Sequence, residues 1–407
     1  MGAKERKRLK NFIALLHTNR NFAIISAIQL ICYFAAWFSH TGIFALLIKL
    51  GAPTWALSFA AALAFLPNVF LAPINGVIID KFRPKPLLIF LMLVEMASVF
   101  CLIFVEDLSF LWFLMMLIFL RMGVGLLFYQ IEMSLLPKLL NGRVLKYANE
   151  IHSIIFSFSY AAGMSLAGLF IYFCGIKAAF LLDFGLYLVG FWLLLKLNLS
   201  RIQQNAPQNA FKMMKDGVSY IAKNRLIIHL IFIHAIVAFT SYDALIALLA
   251  KHDYAEVLSA SLVIGFLNAS RAISLFLAPI ILSRFVNEKT LFWLFIGEGV
   301  GICLWAFLQF NFYISFIGML AAGFCTSSLW SFSMTTLTRH TQKEFYGRVL
   351  AYNDMAYCLV ATGVSLVVGL LFEAGLSLKG ITILLGCCFF VGGIYYKIVY
   401  NRYLKNA

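Results

Sequence analysis

The sequence predicts an all-α integral membrane fold, with twelve transmembrane helices arranged as two six-helix bundles. Three observations carry that expectation. Hydrophobic residues make up 63% of the 407 residues and charged residues only 12%, against roughly 25% charged in soluble domains. The apolar residues come in long runs, and about 20 of them cross the hydrocarbon core as a helix that satisfies its own backbone groups. The chain also repeats itself: Gly142-Arg143-Val144-Leu145-Lys146-Tyr147 returns 205 positions later as Gly347-Arg348-Val349-Leu350-Ala351-Tyr352, and Leu71-Ala72-Pro73-Ile74 returns 206 positions later as Leu277-Ala278-Pro279-Ile280.

The spans are expected near 22–39, 54–78, 87–105, 109–136, 148–172 and 177–197 in the first half. In the second half they are expected near 227–250, 257–282, 288–308, 312–336, 349–373 and 378–399. Residues 1–197 then form one bundle, 198–226 a cytoplasmic linker and 227–407 the second bundle. Parallel repeats related by an axis along the membrane normal place a substrate pathway at their interface.

Orientation follows from the basic residues. With both termini cytoplasmic, 26 of the 32 Lys and Arg lie in cytoplasmic segments; Lys49, Lys177, Lys251 and Lys379 fall outside, and Arg121 and Arg271 lie within spans. Lys and Arg resist translocation, so the asymmetry fixes the topology. It also accounts for the net charge of +15 without a nucleic-acid partner, because the charges sit in short loops facing an anionic leaflet.

Taken in order, Met1 to Asn21 is basic and leads into a long apolar run without a small-residue cleavage site, which reads as a retained first span. In that span Gln29, Tyr33, Trp37 and His40 share one helical face. The linker is polar and then basic and amphipathic from Phe211 to Tyr220, as in a surface-lying helix. In the tenth span Thr326, Ser327, Trp330, Ser331 and Met334 form a mixed face. Two readings of these faces stand: a cavity lining for a bulky amphipathic cargo, or ordinary lipid-facing and interfacial aromatics. The eight cysteines all fall within spans and form no Cys-x-x-Cys pair, so they read as small apolar packers. His229 and His234 are five apart and share no helical face, which argues against a metal site. A phosphate-binding Gly-x-x-x-x-Gly-Lys-Ser/Thr loop is absent from the sequence, as is a Ser/His/Asp grouping. Enzymatic chemistry is therefore not expected.

The duplication sorts the charges within spans. Glu95 and Glu298 are equivalent, as are Asn149 and Asp354, and such paired features read as architectural. Arg121, Asp183, Asp243 and Arg271 have no ionisable counterpart. A lone charge at mid-span costs at least ~2.5 kcal/mol, so it faces protein or water and has a role. Asp243 lies roughly 24 Å up the seventh span and Arg271 roughly 18 Å up the eighth at 1.5 Å per residue, so the two are expected to interact. A proton-responsive pair and a fixed structural ion pair both fit. Asp183, near the start of the sixth span, is expected to reach interfacial water or Lys177.

The stretch Gly76-Val77-Ile78-Ile79-Asp80-Lys81-Phe82-Arg83-Pro84-Lys85 resembles the loop signature of the major facilitator superfamily. Arg121-Met122-Gly123-Val124-Gly125, Leu136-Pro137 and Ala148-Asn149 are similar to the branch containing siderophore exporters and macrolide efflux pumps. The resemblance implies the major facilitator fold, with the first, fourth, seventh and tenth spans lining a central cavity that Arg121 faces. It also implies a cytoplasmic gate: Gly76 lets helices approach closely, Asp80 meets the start of the eleventh span near Arg348, and Lys81 or Arg83 pairs with Glu132. The second copy offers Ser283 where the acid stood, so the gate would be lopsided.

The function so implied is secondary active transport across the plasma (inner) membrane, as proton-coupled export of a small organic molecule by alternating access. Uptake, lysolipid handling and a non-transporting sensor are the alternatives. The expected pathway residues are Arg121, Asp243, Arg271, Gln29, Tyr33, Trp37 and Trp330. The expected partners are a small-molecule substrate, protons and the lipid bilayer, for a monomer without cofactor, metal or nucleic acid.

Overall fold

The computed structural model describes residues 3–199, 210–282 and 285–405. Ser283 and Arg284 lie outside the described residues, as do the side chains of Gly76, Asp80 and Arg143. Among the described residues, twelve helices are long and apolar enough to cross a membrane. They are Arg20–Lys49, Thr54–Ala72, Pro84–Leu102, Leu108–Leu139, Val144–Cys174 and Ile176–Leu195, then Arg225–Lys251, Ala260–Leu282, Leu291–Leu308, Phe312–His340, Lys343–Glu373 and Leu378–Leu404. All twelve overlap the expected spans. Trp112, Phe173 and Phe310 are 68%, 77% and 76% exposed, a disposition that suits hydrocarbon rather than water as solvent.

Contacts divide the chain into two compact units, one of residues 1–43 and 74–207 and one of residues 44–73 and 208–407. The first unit has a core of Leu88, Leu91 and Met92 from the third span, Leu127, Phe128 and Ile131 from the fourth, and Tyr187 and Leu194 from the sixth. Ile25, Ile28 and Cys32 of the first span close it. A separate helix, Ala3–Thr18, precedes the first span. Its Leu15 packs with Leu136, Leu140, Ala148 and Ile151, and Asn11 Nδ2 donates to Tyr147 Oη at 3.0 Å.

In the second unit the ninth and twelfth spans pack closely. A Cβ on Gly299 would come within 2.9 Å of the Gly386 carbonyl oxygen, and one on Gly386 within 2.6 Å of Cys303 Sγ. Membrane helices gain contact by bringing small residues together, since lipid tails are as apolar as Leu. The short helix Thr54–Leu63, rich in buried Ala, belongs to this unit and lies on the eleventh span. There the Trp55 amide donates to Glu373 Oε1 at 3.0 Å. The contact grouping sets residues 44–73 with the second unit.

The linker helix forms over Ala210–Lys223 and also belongs to the second unit. Tyr220 stacks on Phe345 with centroids 4.2 Å apart and planes 6° from parallel. Its hydroxyl accepts from the Gln342 amide at 3.1 Å.

Among the described residues three spans are interrupted, the second of them at Ala64 and Phe65 between Thr54–Leu63 and Leu66–Lys81. The seventh runs as Arg225–Ile236, a 3-10 turn at Val237–Thr240, and a second helix Asp243–Lys251. The tenth breaks at Cys325, between Phe312–Phe324 and Thr326–His340. Interrupted membrane helices free backbone groups that must be met by protein or water, and they concentrate at functional sites.

Candidate functional site

In the first unit, three charged side chains converge inside the bundle. Arg121 of the fourth span places Nη2 2.6 Å from Asp183 Oδ2 of the sixth and Nε 3.2 Å from Glu95 Oε2 of the third. Ser39 of the first span also donates to Asp183 Oδ2. All three charges are 4% exposed or less. Gly125, one turn beyond Arg121, makes room for the acid, because a Cβ there would stand 2.9 Å from Glu95 Oε1. Two carboxyl groups share one guanidinium, so ionising both would leave the group one negative charge in excess. Buried charges persist only when paired.

This arrangement corrects the expectation for Asp183. It is fully buried and does not turn to Lys177, which instead pairs with Glu106 at an exposed site. The reason is level: Glu95, Arg121 and Asp183 stand seven to ten residues from the same-side helix ends Leu102, Leu111 and Ile176. Glu95 is also more than an architectural echo of Glu298. The repeat nevertheless persists in the geometry, because Thr326, 205 positions after Arg121, donates to Glu298 Oε1 at 2.6 Å. The second half keeps the carboxylate and replaces its cationic partner with a hydroxyl.

The predicted face of the first span zips against the fifth. Gln29 Oε1 accepts from His152 Nδ1 at 3.2 Å. Tyr33 packs on His152 and Phe156 with centroids 6.2 and 6.3 Å away. Trp37 packs on Tyr160 at 4.9 Å and on His40 at 5.4 Å. The matching ladder His152, Phe156, Tyr160 recurs every fourth residue, so both helices present one face. Glu132, expected at the gate, is 1% exposed and accepts from Tyr33 Oη at 2.9 Å. Lys81 and Arg83 are exposed. Lys85 caps the sixth span by donating to the Leu195 carbonyl at 2.8 Å, as a cation near a helix C-terminus should.

In the second unit Arg271 Nη2 donates to the Thr240 carbonyl at 2.8 Å, and its guanidinium lies 4.9 Å from the Tyr242 ring centroid. Asp243 is the first residue of the helix that resumes after the break. The interruption thus places a cation on the carbonyl end of one half-helix and a carboxylate at the amide end of the next, each where the helix dipole favours it. Tyr357 lies within electrostatic reach of both Arg271 and Asp243. The break was not evident from periodicity because it holds neither Gly nor Pro. The run Thr240-Ser241-Tyr242-Asp243, rich in side chains that favour helix starts, was the available signal.

Trp330 of the tenth span sits in an aromatic group with His234 and Tyr357, centroids 4.7 and 4.6 Å away. Arg348 packs on the linker helix, where a Cβ on Gly217 would meet Arg348 Cβ at 3.1 Å, and its guanidinium lies 5.2 Å from the Phe345 ring. Gly76 and Asp80 belong to the helix Leu66–Lys81; the gate contact expected of them lies outside the described residues.

The Major Facilitator Superfamily profile matches residues 26–365. The chain belongs to this superfamily. It is a membrane transporter, not an enzyme. Among solved structures it is similar to a nucleoside transporter, NupG, at 14% identity and a TM-score of 0.69, covering 93% of this chain and 98% of that one. It is also similar to the POT family transporter PepTSo, at 12% identity and 0.71, covering 96% and 99%. A third is an auto-inhibited POT family peptide transporter, at 13% identity and 0.70, covering 94% and 97%. At these identities the likeness is one of fold. No curated protein matches the chain.

Proposed function

We propose that this superfamily member is a proton-coupled exporter of a small organic molecule, working by alternating access in the plasma (inner) membrane with both termini cytoplasmic. The observation that carries the reading is the buried group of Arg121, Glu95 and Asp183. Its unequal charge count gives a proton a reason to enter a low-dielectric interior, and a proton arriving on Asp183 or Glu95 loosens the hold on Arg121. Arg121 is then available to neighbouring groups, which couples protonation to the packing of the fourth span. Asp243 and Arg271 at the seventh-span break are the second pathway element, and Gln29, Tyr33, Trp37 and Trp330 supply polar and aromatic contacts for cargo. The gate formed by Gly76, Asp80, Lys81, Arg83 and Arg348 remains part of this proposal, as does action as a monomer. Glu132, bonded to Tyr33, is assigned to the interior of the first unit.

The export direction and the siderophore or macrolide class rest on Arg121-Met122-Gly123-Val124-Gly125 with Leu136-Pro137 and Ala148-Asn149. The test compares accumulation of a panel of siderophores, macrolides and fluorescent amphipathic dyes in cells with and without the gene, with and without a protonophore. Lower accumulation that the protonophore abolishes supports the reading. Higher accumulation in expressing cells overturns export, and export insensitive to the protonophore overturns proton coupling.

A further inference from the structure

The position occupied by Gln29 in the first half is occupied by His234 in the second, 205 residues later, and His152 is likewise followed 205 residues later by Tyr357. Both pairs make contact: His152 with Gln29 through a hydrogen bond, Tyr357 with His234 at a ring separation of 5.9 Å. The repeat therefore sets a polar side chain of its first span against a ring of its fifth in each unit.

In the second unit His234 is bonded through Nδ1. Ser333 Oγ stands 2.8 Å from His234 Nδ1 and 2.6 Å from the Leu329 carbonyl oxygen. The hydroxyl has a single hydrogen, and we assign it to the Leu329 carbonyl, which can only accept. Ser333 Oγ then accepts from Nδ1–H, and the neutral ring carries its lone pair on Nε2. That atom is buried and has no hydrogen-bond partner among the described residues. A buried acceptor without a donor is costly, and in a carrier the cost is recovered when a cargo donor arrives. The surroundings are flat and aromatic: Trp330 meets His234 edge to face at 64°, Tyr357 meets Trp330 at 84°, and Trp330 keeps 37% of its surface uncovered. The partly uncovered indole and the Tyr357 ring offer faces for stacking beside His234.

We propose that His234, Trp330 and Tyr357 form a recognition subsite in the second unit for a flat aromatic ring bearing an N–H donor, with His234 Nε2 as the acceptor. The proposal rests on the reading of the chain as a carrier of small organic molecules and names the chemical class that one of its subsites takes.

The test is equilibrium binding of radiolabelled indole and 1-methylindole to the full chain in nanodiscs, with empty nanodiscs subtracted. The two probes share a ring system and differ in the single N–H. Wild type is expected to hold indole roughly tenfold more tightly, equivalent to about 1.4 kcal/mol. His234→Phe keeps a ring and removes the acceptor, so the preference disappears. His234→Gln installs the residue type that the first half carries and restores an acceptor, so part of the preference returns. Equal binding of the two probes by wild type overturns the proposal without recourse to any variant, as does failure of indole to bind. A preference that survives in His234→Phe overturns it too, because the added methyl group would then be acting by bulk. No pH gradient enters the measurement, so its failure leaves proton-coupled export to be judged by accumulation alone.

Discussion

Arg271 Nη2 donates to the Thr240 carbonyl at 2.8 Å, which also accepts from the Tyr242 amide at 3.0 Å where the seventh span stops and restarts. A charged donor on a carbonyl that a helix has released is worth more than a neutral one, about 1.5–3 kcal/mol. Arg271→Ala should lower thermal stability in nanodiscs by about that amount, with Arg271→Lys losing less. Unchanged melting of Arg271→Ala would remove the bond from the account of the break.

The group around Arg121 predicts an asymmetry among its own substitutions. Arg121→Ala leaves Glu95 and Asp183 buried without their cation, which costs about 3–5 kcal/mol. Asp183→Asn leaves Arg121 with Glu95 as a one-to-one pair and should be milder. Adding Glu95→Gln and Asp183→Asn to Arg121→Ala should recover much of the lost stability. Additive losses in thermal unfolding of the combined variants would argue that the three side chains do not act as one group.

Close packing of the ninth and twelfth spans makes another prediction. Gly299→Val drives a side chain toward Phe390 and the Gly386 carbonyl, where a Cβ alone comes within 2.7 and 2.9 Å. Overpacking of this kind costs about 1–3 kcal/mol. Gly185→Ala serves as the comparison, since its Cβ would meet nothing within 4 Å. Equal melting temperatures for the two variants would contradict the close approach.

The linker helix is held to the second unit by the stack of Tyr220 on Phe345 and by the Gln342 amide. Tyr220→Ala should make residues 198–226 more sensitive to limited proteolysis, and Tyr220→Phe should do so less because the stack survives. Cleavage rates that do not change in Tyr220→Ala would show that the stack does not hold the helix.

Much of this architecture was legible in the residues, and the reasons for the exceptions are physical. Hydrocarbon as solvent demands long apolar helices, so the twelve spans stood out from composition. The duplication was visible because glycines and prolines with Arg punctuate an otherwise interchangeable background. Arg121 could be singled out as a charge in a span, but comparing consecutive spans reaches only Glu95 and not Asp183. Glu95 lies on the third and Asp183 on the sixth, each seven residues from a helix end on the same side, Leu102 and Ile176. Asp243 and Arg271 were placed by counting along an unbroken seventh helix. The interruption at 237–242 gives each a role at a helix end that a depth count does not contain. Glu132 illustrates a further gap: its place in the chain suited a loop partner, whereas the fold turned it inward to Tyr33.

The most direct test of the central claim uses everted membrane vesicles from cells expressing the chain, loaded with a fluorescent amphipathic dye from the efflux panel under an imposed pH gradient. Dye accumulation driven by the gradient in wild type, and lost in Asp183→Asn at equal protein level, is the expected result. Gradient-driven accumulation that is undiminished in both Asp183→Asn and Glu95→Gln would contradict the assignment of proton coupling to the group around Arg121.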